Sequence, residues 1–144
     1  LLVVLHVNGK EKLMVSEKFS KIIRVKKVHL DALKHVNNVV FLQWVQDMAA
    51  EHWQSKSNKD FDAAYYWVVL DHYIEYKGQA FLDDELTVQT FVERNEGLRS
   101  TRVVEFLREG KLLVKAKTNW CLINRLSHRP VRIPEEIDRM FFTR

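Results

Sequence analysis

The segment Val28-His29-Leu30-Asp31-Ala32-Leu33-Lys34-His35-Val36-Asn37-Asn38 holds two imidazoles, one carboxylate and two amides in a short span. Asn37 and Asn38 are preferred helix caps, and the first amides of a helix have no partner within it. Such amides, with the positive end of the helix dipole, can polarise a carbonyl oxygen or stabilise an oxyanion. Asp31 precedes this helix start on the approaching loop. A carboxylate there can act as a general base for water or as a nucleophile. His35 can orient the loop, hydrogen-bond near Asp31 or position water. Plainer roles stand beside these, since aspartate is common in turns and asparagine at caps. His29, Asp31 and His35 are acceptable zinc ligands, but their spacing makes no His-x-x-x-His pair. Neither a metal nor a cofactor is expected. No Gly-x-Ser-x-Gly elbow occurs, so a seryl nucleophile has no visible seat.

The elements that must position this segment are legible in outline. Ile22, Ile23, Val25 and Val28 predict a strand from Phe19 to His29. Phe41, Trp44, Val45, Met48 and His52 fall at helical spacing and predict a helix over Asn38–Gln54. Val39, Val40, Leu42 and Trp53 widen its apolar face, which makes it a buried helix. Ser55 to Asp62 reads as a polar linker. Tyr66, Val68, Leu70, His72, Ile74 and Tyr76 alternate as one face of a long strand. Leu86, Val88, Thr90 and Val92 do so for the next. Asn95-Glu96-Gly97 and Glu109-Gly110-Lys111 read as turns that separate strands near Leu98–Arg108 and Leu112–Ile123. Pro134, Glu135 and Glu136 open a short terminal helix. One helix followed by a run of strands predicts an α+β arrangement, an antiparallel sheet with the helix on one face. A helix this apolar is not covered by one small sheet, so self-association is expected. Residues 1–15 are an N-terminal extension or an extra hairpin, with Asn8-Gly9 having hairpin-turn chemistry.

Composition narrows the classes. A chain of 144 residues with 47% apolar and 29% charged residues is one ordinary globular domain. No apolar run reaches the ~20 residues needed to span a bilayer, and the first residues lack signal-peptide features. The single cysteine, Cys121, cannot form an internal disulfide, and the cytoplasm is the expected location. Residues 1–30 carry seven Lys/Arg against two Asp/Glu, and residues 98–132 carry nine against two. These cations are scattered along strand-like stretches, so no nucleic acid is expected, whereas a phosphate-bearing small ligand would use a few of them. Trp44, Trp53, Phe61, Tyr65, Tyr66 and Trp67 read first as core.

The aspartate followed by His35-Val36-Asn37-Asn38 and then Phe41-Leu42-Gln43-Trp44 resembles the signature of the hotdog-fold acyl-CoA thioesterases, of the 4-hydroxybenzoyl-CoA thioesterase kind. Glu75-Tyr76, Asp84-Glu85-Leu86, Arg129-Pro130 and Ile133-Pro134-Glu135-Glu136-Ile137 follow in the same order, so that the resemblance spans about residues 16–142. It implies a hotdog domain over residues 16–144, an antiparallel sheet of about five strands wrapped on one long central helix. It also implies hydrolysis of acyl-CoA or acyl carrier protein thioesters. Asp31 is then the main catalytic carboxylate, assisted by His35, with the Asn38 amide holding the thioester carbonyl. Asn37, Phe41 and Trp44 are the expected substrate contacts. The family's sheets join edge to edge, which implies a homodimer or a dimer of dimers. Thioesters suit such sparse equipment, because a thiolate with a pKa near ~8.5 leaves without strong acid assistance. The turn also resembles that of plant acyl carrier protein thioesterases. Their asparagine two residues after the aspartate is here Leu33, and their downstream carboxylate is Gln79. Rival readings are a hotdog hydratase or dehydratase and a non-catalytic acyl-CoA-binding domain.

Overall fold

The computed structural model describes residues 2–7 and 10–143, with side chains from Met14 onward. Strands β1 (Leu2–Val7) and β2 (Lys10–Ser16) pair antiparallel, with Val7 opposite Lys10. The expected Asn8-Gly9 turn lies outside the described residues. After β3 (Phe19–Arg24) and a 3-10 turn at Lys27–His29 comes the long helix α1 (Asn38–Lys56), followed by α2 (Lys59–Ala64). Four strands follow: β4 (Tyr65–Tyr76), β5 (Glu85–Glu96), β6 (Arg99–Arg108) and β7 (Lys111–Asn124). The described chain closes with α3 (Glu135–Met140) and β8 (Phe142–Thr143). The main sheet is antiparallel, in the order β3-β5-β6-β7-β4, and β8 adds to β2 in a separate three-stranded sheet. This is the expected α+β architecture.

Helix α1 follows its apolar repeat. Phe41, Trp44, Val45, Met48 and His52 are all buried, and the helix ends at Lys56 instead of Gln54. Its buried side joins Leu86 and Val88 of β5, Val104 and Phe106 of β6, and Val114 and Ala116 of β7 in one cluster. A second cluster forms at the other end of the helix. There Met14, Val92, Leu122, Ile137, Phe141 and Phe142 pack with Trp53 and Trp67. Between β6 and β7, Glu109 and Gly110 both have positive φ, 50° and 78°. That two-residue turn matches the twist of its strands, and glycine takes its second position without steric cost. No helix among the described residues is long and apolar enough to cross a membrane.

Three local expectations need correction. The first strand stops at Arg24 instead of running to His29. The Lys26 amide donates to His29 Nδ1 at 2.9 Å, closing the 3-10 turn. The polar linker holds the start of α2, capped where Asn58 Oδ1 accepts the Phe61 amide at 2.9 Å. Asp60 and Asp62 lie in that first turn and complement its dipole. Finally, β4 does not keep one face from Tyr66 to Tyr76. Val69 pairs with Trp120 and Asp71 with Asn119, leaving Leu70 as a bulge. The extra residue exchanges the two faces. Trp67 therefore joins the interior together with Ile74, while Leu70 and Tyr73 are exposed. On β5, Leu86, Val88, Thr90 and Val92 are all buried, as their alternation predicts.

His52 is fully buried, stacked on Phe19 and set edge-on to Phe141. Burial, then the charges of Arg102 and Lys56, push its imidazole down to about 3 from the ordinary 6.5. The unfolded chain therefore binds a proton that the folded chain refuses between these values. Stability is fully present above the unfolded pKa and is lost as pH falls toward the folded one. Thermal unfolding should show the wild type losing stability between about pH 6.5 and 5, and His52→Gln losing less over that window. Equal losses would remove His52 as the cause.

Candidate active site

The loop between the 3-10 turn and α1 is built around Asp31. Its backbone amide donates to the His35 carbonyl at 2.8 Å, and its own carbonyl accepts the Lys34 amide at 3.0 Å. Its side-chain Oδ1 accepts the Leu33 amide at 2.9 Å and the His35 amide at 3.1 Å. One carboxylate oxygen thus closes the turn, in the manner of an aspartate local turn. Oδ2 accepts from no group among the described residues and keeps its lone pairs. Lys34 completes the loop with φ 62°, a left-handed conformation that costs a lysine some strain. The Val36 amide donates to the Ala80 carbonyl at 2.9 Å, tying the loop to the segment after β4.

Asn37 then caps α1, its Oδ1 accepting the Val39 amide at 2.9 Å. The amides of Val40 and Phe41 turn back to the Asn37 carbonyl. The Asn38 amide is left with no acceptor among the described residues, as expected of a first-turn donor. The Asn38 carbonyl accepts the Tyr76 hydroxyl at 3.4 Å.

A cleft of about 680 Å³ brings several of these groups together. Asp31, His35, Asn38 and Phe41 line it. Phe41 is its apolar floor, 2% exposed and set edge-on to Phe106 at 5.1 Å. His35 reaches Asp31 through its backbone amide, while its imidazole packs edge-on to Phe81 at 5.2 Å. Two expected substrate contacts lie elsewhere. Asn37 serves the cap, and Trp44 is buried behind Phe41 against His29 and Phe106. Among the described residues, no three His, Cys, Asp or Glu are grouped to hold a metal ion.

The rest of the rim comes from distant sequence. Tyr76 ends β4, Lys77, Gly78, Gln79 and Phe81 follow it, and Arg108, Lys111 and Leu113 flank the β6–β7 turn. Arg108 Nη1 donates to the Gln79 carbonyl at 3.0 Å and to Asp84 Oδ2 at 2.7 Å, which pins this segment. Gly78 lies so close to β7 that an added Cβ would stand 2.8 Å from Leu113 Cδ2. Of these, the resemblance touches Tyr76 as part of a family piece and Gln79 as the position of the plant enzymes' downstream carboxylate; nothing in the sequence singles out Arg108 or Lys111.

The fold and the site define a class: a sheet wrapped on one helix, with a loop carboxylate and a helix-start residue lining one cleft. Solved structures share the fold. A hypothetical protein of Aquifex aeolicus superposes with TM-score 0.76 at 25% identity, covering 85% of this chain and 98% of that one. A Staphylococcus aureus protein solved in complex with CoA superposes with TM-score 0.77 at 18% identity, covering 88% and 83%. The long-chain acyl-CoA thioesterase FadM of Escherichia coli is 24% identical over 125 residues, 80% of this chain and 90% of its own length. The family model of the thioesterase-like superfamily matches residues 25–141, and the chain belongs to that superfamily. It has the hotdog fold and is a thioester hydrolase.

Proposed function

We propose that the chain hydrolyses acyl-CoA thioesters in the Asp31 cleft. The observation that carries this reading is the shared cleft wall of Asp31 and Asn38, with one carboxylate oxygen and one helix-start amide free among the described residues. The thioester carbonyl oxygen sits at the Asn38 amide, where donor and dipole stabilise the developing oxyanion. Asp31 either takes the proton from the attacking water or attacks the carbonyl carbon itself. The carbon–sulfur bond then breaks, the thiolate leaves, and the free acid is released once water has supplied its oxygen. Lys77 and Lys111 on the rim suit the phosphates of coenzyme A, while Arg108 is held beside them by Asp84. FadM, named for long-chain acyl-CoA, supports the same substrate class. An acyl carrier protein is the alternative carrier. The single buried thiol of Cys121 fits a reducing compartment, and the cytoplasm is the location we assign. Thiol release across a panel of acyl-CoAs tests the reading; binding without release would leave only an acyl-CoA-binding domain.

We also assign residues 16–144 to one catalytic domain that works as a homodimer or a dimer of dimers. β4 is an edge strand of the main sheet, and Leu70, Tyr73 and Tyr76 are exposed along it. An uncovered apolar edge of this kind suits pairing with a second copy. Sedimentation at micromolar concentration should return a dimeric or tetrameric mass, and a monomeric mass would sink the assignment.

A further inference from the structure

A second cavity, of about 310 Å³, shares no lining residue with the Asp31 cleft. It opens beside Ala49, Ala50 and Trp53, so its nearest helical wall lies roughly 17 Å along α1 from Asn38. Trp53, Trp67, Trp120 and Phe141 give it an aromatic lining. Into this wall projects Arg102 of β6, 6% exposed. Burial pushes its guanidinium down only to about 10, so the charge persists at neutral pH.

The partners of that charge are all neutral. Nη1 reaches His52 Nδ1 at 2.9 Å and Thr90 Oγ1 at 3.1 Å, and the guanidinium lies 5.5 Å from the Phe141 ring centroid. His52 brings no opposing charge, and no carboxylate pairs with Arg102 among the described residues. Nη2 and Nε have no acceptor there. A buried cation without a counter-ion is costly. Two further lining residues hold buried polar atoms without partners, the Trp120 Nε1 donor and the Asn95 Oδ1 acceptor. The one carboxylate in the lining, Asp62, is engaged by Trp53 Nε1 at 3.0 Å and Ser57 Oγ at 2.8 Å. Exposed Arg125, also in the lining, adds positive potential.

We propose that this cavity is a binding site for a small organic monocarboxylate with an apolar, aromatic or medium-chain body. The guanidinium edge offers parallel donors that match a carboxylate, and Trp120 Nε1 offers one more. A single buried cation balances one negative charge and leaves a phosphate dianion uncompensated. The rings around it take up the apolar body, as in ligand pockets of this size. Asn95 Oδ1 suits a ligand hydroxyl or a water. The site does not depend on the acyl-CoA reading, although free acids are also what thioester hydrolysis releases.

The test is a calorimetric titration of the full chain with octanoate and 2-naphthoate, beside octanamide and 2-naphthamide as uncharged isosteres. The acids should bind saturably and the amides about tenfold or more weakly, the worth of a charge-assisted hydrogen bond. Arg102→Met should abolish that preference, and removing an unpaired buried charge is compatible with folding. Ala50→Phe, placed on an exposed helix position, should weaken acid binding with Arg102 still in place, which keeps the test sharp if Arg102→Met fails to fold. Asp31→Asn should leave acid affinity unchanged. Equal binding of acid and amide overturns the proposal. So does acid affinity that survives Ala50→Phe, or that disappears in Asp31→Asn.

Discussion

Asp31→Asn is expected to lower thioester turnover by about two orders of magnitude or more, the usual loss when a general base is removed. The substitution is well matched to its site. An asparagine Oδ1 still accepts the Leu33 and His35 amides that close the loop. What disappears is the charge and basicity of the second oxygen, which accepts from no donor among the described residues. Acyl-CoA affinity should stay near that of the wild type, because this oxygen acts mainly in the transition state. His35→Ala should cost less than Asp31→Asn, since the imidazole packs on Phe81 and its backbone amide survives the change. Turnover and binding measured on folded variants decide the matter. A near wild-type rate for Asp31→Asn would end the mechanism and leave the fold untouched.

Phe106→Ala is expected to destabilise the protein by about 3–5 kcal/mol, the range for truncating a buried phenylalanine. Phe106 is fully buried at the centre of the larger cluster, in ring contact with Phe41 and Trp44. Its removal leaves a void beneath the floor of the Asp31 cleft, too far inside the core for water to fill well. Against a total stability of about 5–15 kcal/mol, such a loss consumes a large fraction of the fold's margin. Denaturant unfolding of the variant measures it, and a loss below about 1 kcal/mol would mean that the core repacks around the gap.

The helix was legible because its signal is local. Each of Phe41, Trp44, Val45, Met48 and His52 reports its own face through spacing alone, and each is buried. The face of β4 was not legible, because a bulge is a relation between two strands. Nothing in Tyr66-Trp67-Val68-Val69-Leu70-Asp71 announces that Leu70 will be skipped by β7. The end of β3 was hidden for a related reason: Val25 and Val28 continue a strand-like composition past Arg24, where the Lys26–His29 contact turns the chain. The start of α2 did leave a trace, Asn58 followed by two aspartates, within a segment read as linker. Of the candidate site, the Asp31-to-Asn38 wall could be read from one contiguous motif. The opposite wall is assembled by the sheet from residues as far apart as Tyr76 and Lys111; the resemblance touched Tyr76 and Gln79, and only pairing register brings Arg108 and Lys111 beside them.

The two apolar clusters give the molecule two centres of cooperativity along one helix. The larger joins α1 to β5, β6 and β7 and underlies the Asp31 cleft; the smaller is closed by Ile137, Phe141 and Phe142 near the end of the chain. Short elements that close over a cluster can open while the rest stays folded, as native-state exchange shows for other proteins. The Arg102 cavity is lined by Ile137 and Phe141 and not by any residue of the Asp31 loop. Breathing of the α3–β8 segment would therefore admit solvent and solutes to one end of the protein while the hydrolytic end keeps its shape.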